Sequence, residues 1–327
     1  MATASTLTPA SHQKQVVTMP PIKVLIFGVT GQQGGSVAKY LLEDGPEKFK
    51  LSGLTRNTSS KHAQALAAQG VEMIQGDLDD PASYDAALKN ADAVFLNTNW
   101  WQWYDGTNPD ECTQKEGKQA MDVVDVCHKY GNKQLVYSSL ESFDINGQKV
   151  PHTESKTYIR EHIEKVGLPT VYVNATYYMS NVLGYPTEEK ADGTIVLKCP
   201  LPDQSTIPQV PIEQLGLWVR LALRDWNAWK GKTIDCVTDK LSVKRITEVL
   251  SEVTGKKFDT MHVTLEWFES DEARAPNPEM HLNSYVFVKD LIDPPIKQSR
   301  GLVEGSWDFG EWCLHAGGVE KKWSLKK

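Results

Sequence analysis

The sequence lacks the residue spacings that hold metals and disulfides. Its five cysteines, Cys112, Cys127, Cys199, Cys236 and Cys313, are odd in number and form no CxxC pair. They read as buried thiols in a reducing compartment, not as a disulfide framework or a zinc site. The eight histidines include no HExxH or HxH, so no bound metal is expected. No basic stripe of Lys and Arg occurs and the net charge is −7, which argues against direct contact with nucleic acid. No apolar run approaches the roughly 20 residues that span a bilayer. Residues 1–20, rich in Ala, Ser and Thr, have no hydrophobic block long enough for a signal peptide and read as a disordered leader. A cytoplasmic protein without a membrane partner is expected.

What is present is the composition of an ordinary enzyme-sized globular chain. Over 327 residues, 40% are hydrophobic and 24% charged, enough to bury a large core in one or two domains. Short apolar runs alternate with helical segments. Lys23–Phe27 reads as a strand buried on both faces, followed by a helix over Ser36–Leu42. Strands are expected at Leu51–Thr55, Val71–Gln75, Ala93–Asn97, Leu135–Ser138 and Thr170–Asn174. Helices are expected from His62 to Gln69, from Asp80-Pro81, from about Cys112 to Tyr130 and from Thr157 to Val166. This rhythm predicts an α/β fold, a doubly wound parallel sheet of Rossmann type, with its ligand crevice at the carboxyl ends of the strands.

Beyond about Thr176 the rhythm weakens. A helix over Ile212–Arg224, a seventh strand at Thr233–Val237 and a helix over Ser242–Thr254, capped by Ser242 and Gly255, are expected. The expected organisation is therefore a leader (1–20), a Rossmann core (21–176) and a smaller interwoven lobe (177–327). A segment near 210–240 of that lobe returns to the core. The tryptophan- and proline-containing remainder reads as a helical cover over the crevice.

Gly28-Val-Thr-Gly31-Gln-Gln-Gly34-Gly35 is the most informative motif. Gly28 allows a tight turn, Gly31 lets backbone approach a pyrophosphate, and Gly34 permits close helix–strand packing. A lone glycine pattern is weak. Here it follows an apolar strand and opens a helix, whose N-terminal amides and dipole favour an anion. At the end of the second strand, where an NAD site carries an acidic residue for the ribose 2′-hydroxyl, stands Arg56. An arginine suits the 2′-phosphate of NADP, and Lys61 is placed to add to it. Asp77 and Leu78, after the third strand, are placed to meet the adenine.

Gly28-x-Thr30-Gly31-x-Gln33-Gly34-Gly35 is similar to the phosphate loop of NmrA-like proteins, an atypical branch of the short-chain dehydrogenase/reductase superfamily. Asn97-Thr-Asn-Trp-Trp101, Tyr137-Ser-Ser-Leu140, Lys156 ahead of a helix, Gly167-Leu-Pro169, Ala191-Asp-Gly-Thr194 and Pro211-Ile-Glu213 also resemble that family. The resemblance covers most of residues 22–260 and implies an NADP(H)-binding Rossmann core with an interwoven lobe. The implied cofactor contacts come from Gly28, Thr30, Gly31, Gln33, Gly34, Asn97, Thr98, Asn99, Ser138 and Lys156. The family contains both reductases of quinones or metabolic intermediates and redox-sensing regulators that bind other proteins. For a regulator a nuclear location is open too.

Short-chain reductases ordinarily carry Tyr-x-x-x-Lys, in which the lysine binds the nicotinamide ribose and lowers the tyrosine pKa. The corresponding stretch is His152-Thr-Glu-Ser-Lys156: the lysine is kept and the tyrosine is replaced. His152 itself, Tyr177 or Tyr178, or Ser138 and Ser139 are candidate donors, or an activated acceptor takes its proton from water. His152 as a simple helix cap is the plainer alternative. Trp100, Trp101, Trp103 and Tyr104 crowd the end of the fourth strand. With Tyr177, Tyr178 and Asn181 they point to a pocket for a planar apolar molecule; a hydrophobic plug between core and lobe is the alternative for Trp100. Two functions follow: an NADPH-dependent reductase of a small conjugated or aromatic carbonyl or quinone, or a non-catalytic NADP(H) sensor acting on a regulatory protein.

Overall fold

The computed structural model describes residues 20–131 and 133–326. Nearly all of the expected leader lies outside the described residues. Seven parallel strands form the central sheet: β1 (Ile22–Phe27), β2 (Phe49–Thr55), β3 (Glu72–Gln75), β4 (Ala93–Leu96), β5 (Gln134–Ser139), β6 (Thr170–Ala175) and β7 (Thr233–Cys236). Their order across the sheet is β7-β6-β5-β4-β1-β2-β3, so the direction of winding reverses between β1 and β4. Such a switch point opens a crevice at the strand carboxyl ends.

The labelled helices are those of eight residues or more: α1 (Gln32–Leu42), α2 (Lys61–Ala68), α3 (Pro81–Asn90), α4 (Pro109–Lys129), α5 (Pro151–Val166), α6 (Gly216–Arg224), α7 (Val243–Thr254) and α8 (Pro278–Val288). The alternation of β1 divides the core in two. Val24 and Ile26 face α1 and α6 on one side, while Leu25 and Phe27 face α3, α4 and α5 on the other. Both faces are thus covered, as an all-parallel sheet requires.

A third apolar cluster belongs to the lobe and gathers Met179, Leu197, Ile246, Leu250, Phe268, Phe309 and Trp312 around α7. Two three-stranded sheets lie outside the core, one pairing Tyr177–Tyr178 with Thr206–Val210 and Asp239–Ser242. Ser242 caps α7 by accepting from the Arg245 amide, and Gly255 closes it with φ +70°. No described helix is long and apolar enough to cross a membrane.

Two helix expectations need correction. The segment 212–224 is not one helix: a 3₁₀ turn over Ile212–Gln214 precedes α6. The reason is the close packing of Gly216 on α1, where a Cβ would collide with the Ser36 carbonyl. Ser36 Oγ accepts from the Gly216 amide at 2.9 Å and donates to the Glu213 carbonyl at 2.8 Å, tying both pieces to α1. The second correction matters more. α5 begins at Pro151, not Thr157, so Lys156 lies inside the helix and not ahead of it. Pro151 presets the first turn. The polar residues after it read as a loop in sequence because their partners come from elsewhere in the chain.

Candidate functional site

The first wall of the crevice is backbone. Gly28 has φ +68°, a conformation open to glycine, and turns the chain sharply out of β1. Gly34 is buried against that turn, where a Cβ would overlap the Gly28 carbonyl. Gly31 sits at the N-cap of α1 with no side-chain cap and no acidic residue in the first turn. The leading amides of α1 are therefore free to meet an anion, which is the cradle a dinucleotide pyrophosphate needs. Thr30 is half-buried beside them.

Along the carboxyl ends of β2 and β3 the surface is open. Arg56 is exposed and has no ion-pair partner among the described residues. Asp77 is half-buried and its Oδ1 accepts from the Asp79 amide at 3.1 Å, so its carboxylate also shapes the turn. Leu78 packs its side chain against the core.

The far side of the switch point is formed by α5 and the end of β4. Lys156 and Glu116 make a buried ion pair at 2.7 Å, with 8% and 0% of their side chains exposed. Lys156 Nζ also donates to Thr98 Oγ1 at 2.8 Å, and Thr98 Oγ1 donates to Glu116 Oε1 at 2.9 Å. Ser155 donates to the second carboxylate oxygen. Glu116, on α4, was not visible as a site residue, since nothing in a helical carboxylate advertises which lysine it will meet. Its charge balances that of Lys156, so the lysine does not act as the uncompensated cation of the usual Tyr-x-x-x-Lys pair.

One turn earlier on the same face, His152 Nδ1 lies 2.6 Å from Glu279 Oε1. The same oxygen accepts from the His152 amide at 2.9 Å. The histidine is not a cap: the N-cap is Val150, and the imidazole is engaged by α8. Glu279 is the second residue that sequence reasoning missed, 127 positions away from its partner.

Tyr178 completes the polar part. Gln33 Nε2 donates to its hydroxyl at 2.7 Å, and Ser138 Oγ donates to Gln33 Oε1 at 2.7 Å. Because Tyr178 accepts in this relay, its own hydroxyl proton remains free for another acceptor. Burial pushes its pKa up to about 12 and keeps the phenol neutral. Tyr177 differs: its hydroxyl pairs with that of Tyr185 at 2.8 Å, and its ring packs edge-on against Phe287. It lines the crevice as a wall, with its polar tip already engaged.

Trp100 is buried and hydrogen-bonds Thr113, as a structural plug does, whereas Trp101 is 37% exposed. The Trp101 and His152 ring centroids lie 5.0 Å apart. Asn99 accepts from the Trp101 amide at 3.2 Å and so fixes the 3₁₀ turn that carries both tryptophans.

One cavity of about 980 Å³ brings these pieces together. Gly31, Gln33, Asn97, Thr98, Asn99 and Ser138 line its core side, Lys156 and His152 its floor. Trp100, Trp101, Tyr177, Tyr178 and Asn181 line the remainder, with Met280 and Phe287 of the lobe opposite. Gly28, Thr30, Gly34, Arg56, Asp77 and Leu78 do not line it; Gly34 is buried under the turn, and the others lie about the neighbouring carboxyl ends of β1, β2 and β3.

The model of the NmrA-like family matches residues 21–306. An NmrA-like family domain-containing protein of Dictyostelium discoideum is 31% identical over 247 residues, covering 72% of this chain and 78% of that protein. Among solved structures, NmrA, a negative transcriptional regulator, in complex with NADP superposes with a TM-score of 0.75 at 19% identity. That match covers 93% of this chain and 98% of NmrA, which has also been crystallised with NAD. An NADPH-dependent quinone oxidoreductase of Escherichia coli, complexed with NADPH, superposes with a TM-score of 0.67 at 18% identity, covering 90% of this chain and 99% of the other.

Proposed function

The chain belongs to the NmrA-like family, and from that premise we propose that it is an NADP(H)-dependent reductase of a small conjugated or aromatic carbonyl compound or quinone. The observation that carries this reading is the cavity of about 980 Å³. It lies at the upper end of ordinary ligand pockets, about 300–1,000 Å³. The residues expected to face the adenosine half lie outside it, which leaves its volume for the nicotinamide half and a flat second molecule against Trp101 and Phe287.

The amides of Gln32 and Gln33 would hold the pyrophosphate, Arg56 the 2′-phosphate, and Asn97, Ser138 and Lys156 the nicotinamide ribose. NADPH, when bound, supplies the hydride. The chain's own groups orient the acceptor and complete the proton balance. Tyr178 is neutral and has a free hydroxyl proton, so it hydrogen-bonds an acceptor oxygen. A quinone or enone suits this set, because its reduced oxygen is a weak base and asks little of the acid.

A second reading has its own observation. The lysine of the usual catalytic pair is neutralised by Glu116, and the residue in the tyrosine's place is engaged by Glu279. These features fit a dinucleotide sensor that acts on a regulatory protein, and NmrA itself is a negative transcriptional regulator. NADPH deuterated at the transferable nicotinamide position, incubated with the protein and a panel of quinones and enones, separates the two. Deuterium in a reduced product is the expected result. Tight NADPH binding with no transfer to any acceptor would sink the reductase and leave the sensor.

A further inference from the structure

Two helices meet nose to nose at the floor of the cavity, and each opens in the same way. α5 begins Pro151-His152 and α8 begins Pro278-Glu279, with the proline at the first helical position in both. One carboxylate oxygen of Glu279 takes both the backbone amide of His152 and its Nδ1. A ring tied to the same atom as its own backbone cannot rotate about χ1 or flip without breaking a hydrogen bond. Glu279 is 5% exposed and stands in the first turn of α8, where the helix dipole favours a negative charge. The contact fixes Nδ1 as the N–H that faces the carboxylate and leaves Nε2 as the other working atom. Nε2 takes no hydrogen bond among the described residues, and His152 lines the cavity between Trp101 and Lys156.

We propose that Glu279 is the positioning residue for His152, and that His152 Nε2 delivers the proton that completes reduction. The inference rests on the reductase reading given above. In the step, hydride passes from NADPH to the acceptor carbon and the acceptor's π bond shifts its electron pair to oxygen. The imidazolium N–H bond at Nε2 breaks and an O–H bond forms. NADPH leaves as NADP⁺, the neutral ring keeps its Nδ1 proton on Glu279, and Nε2 regains a proton from water. Tyr178 hydrogen-bonds the same oxygen without giving up its proton. The carboxylate belongs to the lobe and the imidazole to the core, so proton delivery requires the lobe to be docked. The Ile145, Val150 and Val286 cluster, joined by Leu282 and Tyr285, secures that docking from behind.

The test is a double-mutant cycle of His152→Gln and Glu279→Gln, read with deuterated NADPH and a quinone or enone that wild type reduces. His152→Gln is expected to lower kcat by about 100-fold or more, the ordinary scale of a general acid, with KM and NADPH affinity held within twofold. Glu279→Gln is expected to lower kcat by about tenfold or more and to cost nothing further once His152 is absent. ¹⁵N spectra of histidine-labelled protein, recorded where the ring is neutral, supply a readout that needs no turnover: the remaining proton sits on Nδ1 in wild type, and Glu279→Gln yields a tautomer mixture. Additive losses in the cycle, an unchanged tautomer, or full activity in His152→Gln would each overturn the proposal while leaving the reductase reading intact. A loss confined to Tyr178→Phe would do the same. If wild type transfers no deuterium to any acceptor, the reductase reading falls and takes the proton-donor role with it. The tautomer spectrum then still decides the positioning role by itself.

Discussion

At the phosphate-loop end of the crevice the surface is mainly backbone: the turn at Gly28, the cap at Gly31 and the amides that open α1. At the opposite end it is side chains gathered from separate stretches of chain: Trp101 after β4, Lys156 and His152 on α5, Tyr178 after β6, and Phe287 on α8, with Glu279 buried behind His152. A backbone site works with any side chain that leaves the turn intact, and fails when an atom is added. A side-chain site survives changes of shape at its rim and fails when one member of a charged pair is removed. Core and lobe meet at this second end, so the comparison is also one between a self-contained region and a shared one.

The largest expected effect tests which region gives way first. Burial pushes the thiols of Cys127, Cys199 and Cys313 up from 9.0 to about 12. In the folded chain they stay neutral, while in the unfolded chain they ionise near 9. Stability is therefore fully present below pH 9 and is lost as pH rises from about 9 to 12. Each pH unit of separation costs about 1.4 kcal/mol per ionising group, so three such thiols make the decline steep. Urea melts at pH 8, 9.5 and 11 should show the decline. Cys127 belongs to the core and the other two to the lobe, so Cys127→Ala and the Cys199→Ala/Cys313→Ala double variant should shift separate portions of it.

Next comes the side-chain end. Lys156→Met leaves Glu116 buried without its counter-charge, an expected loss of about 3–5 kcal/mol in chemical denaturation. Adding Glu116→Gln should restore a good part of it. No recovery in the double variant would mean that the pair is not the source of the cost. At the backbone end, Gly34→Ala forces a methyl group into the Gly28 turn, with an expected loss of about 1–3 kcal/mol and of NADPH binding. NADPH titration of the folded variant checks it, and unchanged affinity would remove the loop from the binding site.

Arg56→Ala should weaken NADPH by roughly 1.5–3 kcal/mol, the scale of a charged hydrogen bond, and leave NADH unchanged. Equal losses for both nucleotides in calorimetry would refute the 2′-phosphate assignment. The smallest effect is expected at the half-open wall. Trp101→Ala gives up an edge-on contact with Trp100 worth about 0.5–1.5 kcal/mol, and should raise KM for an aromatic acceptor more than it lowers kcat.

The backbone end was readable in the chain and the side-chain end only half so, for a physical reason. Glycine positions and apolar runs report local geometry, because turn and strand preferences act over a few residues. The runs around Val24, Leu51, Val94, Val136 and Val171 therefore mark their strands, and the expected seventh strand at Thr233–Val237 forms over Thr233–Cys236 despite the lobe before it. Glu116 and Glu279 could not be found in this way. A carboxylate on a helix looks solvated until the fold sets a base 2.6 or 2.7 Å away. The same blindness misplaced the start of α5. Its first turns are polar, with His152 and Ser155 answered by Glu279 and Glu116 far along the chain, so the apolar spacing that marks a helix begins only at Ile159. The change from a 3₁₀ turn at Ile212–Gln214 to α6 was hidden too, since the contact that meets it comes from Ser36 some 180 positions earlier.

The late arrival of α6 has a consequence during synthesis. On one side of the sheet, α3, α4 and α5 have all left the ribosome by Val166. The other side has α1 by then, yet waits for Leu215 to Leu223 to cover Val136, Val171 and Val173. For some fifty residues of translation, the growing chain holds a half-roofed slab of valine and isoleucine open to its surroundings. Chaperone capture in the cell should peak in that window and fade once Trp218 has docked.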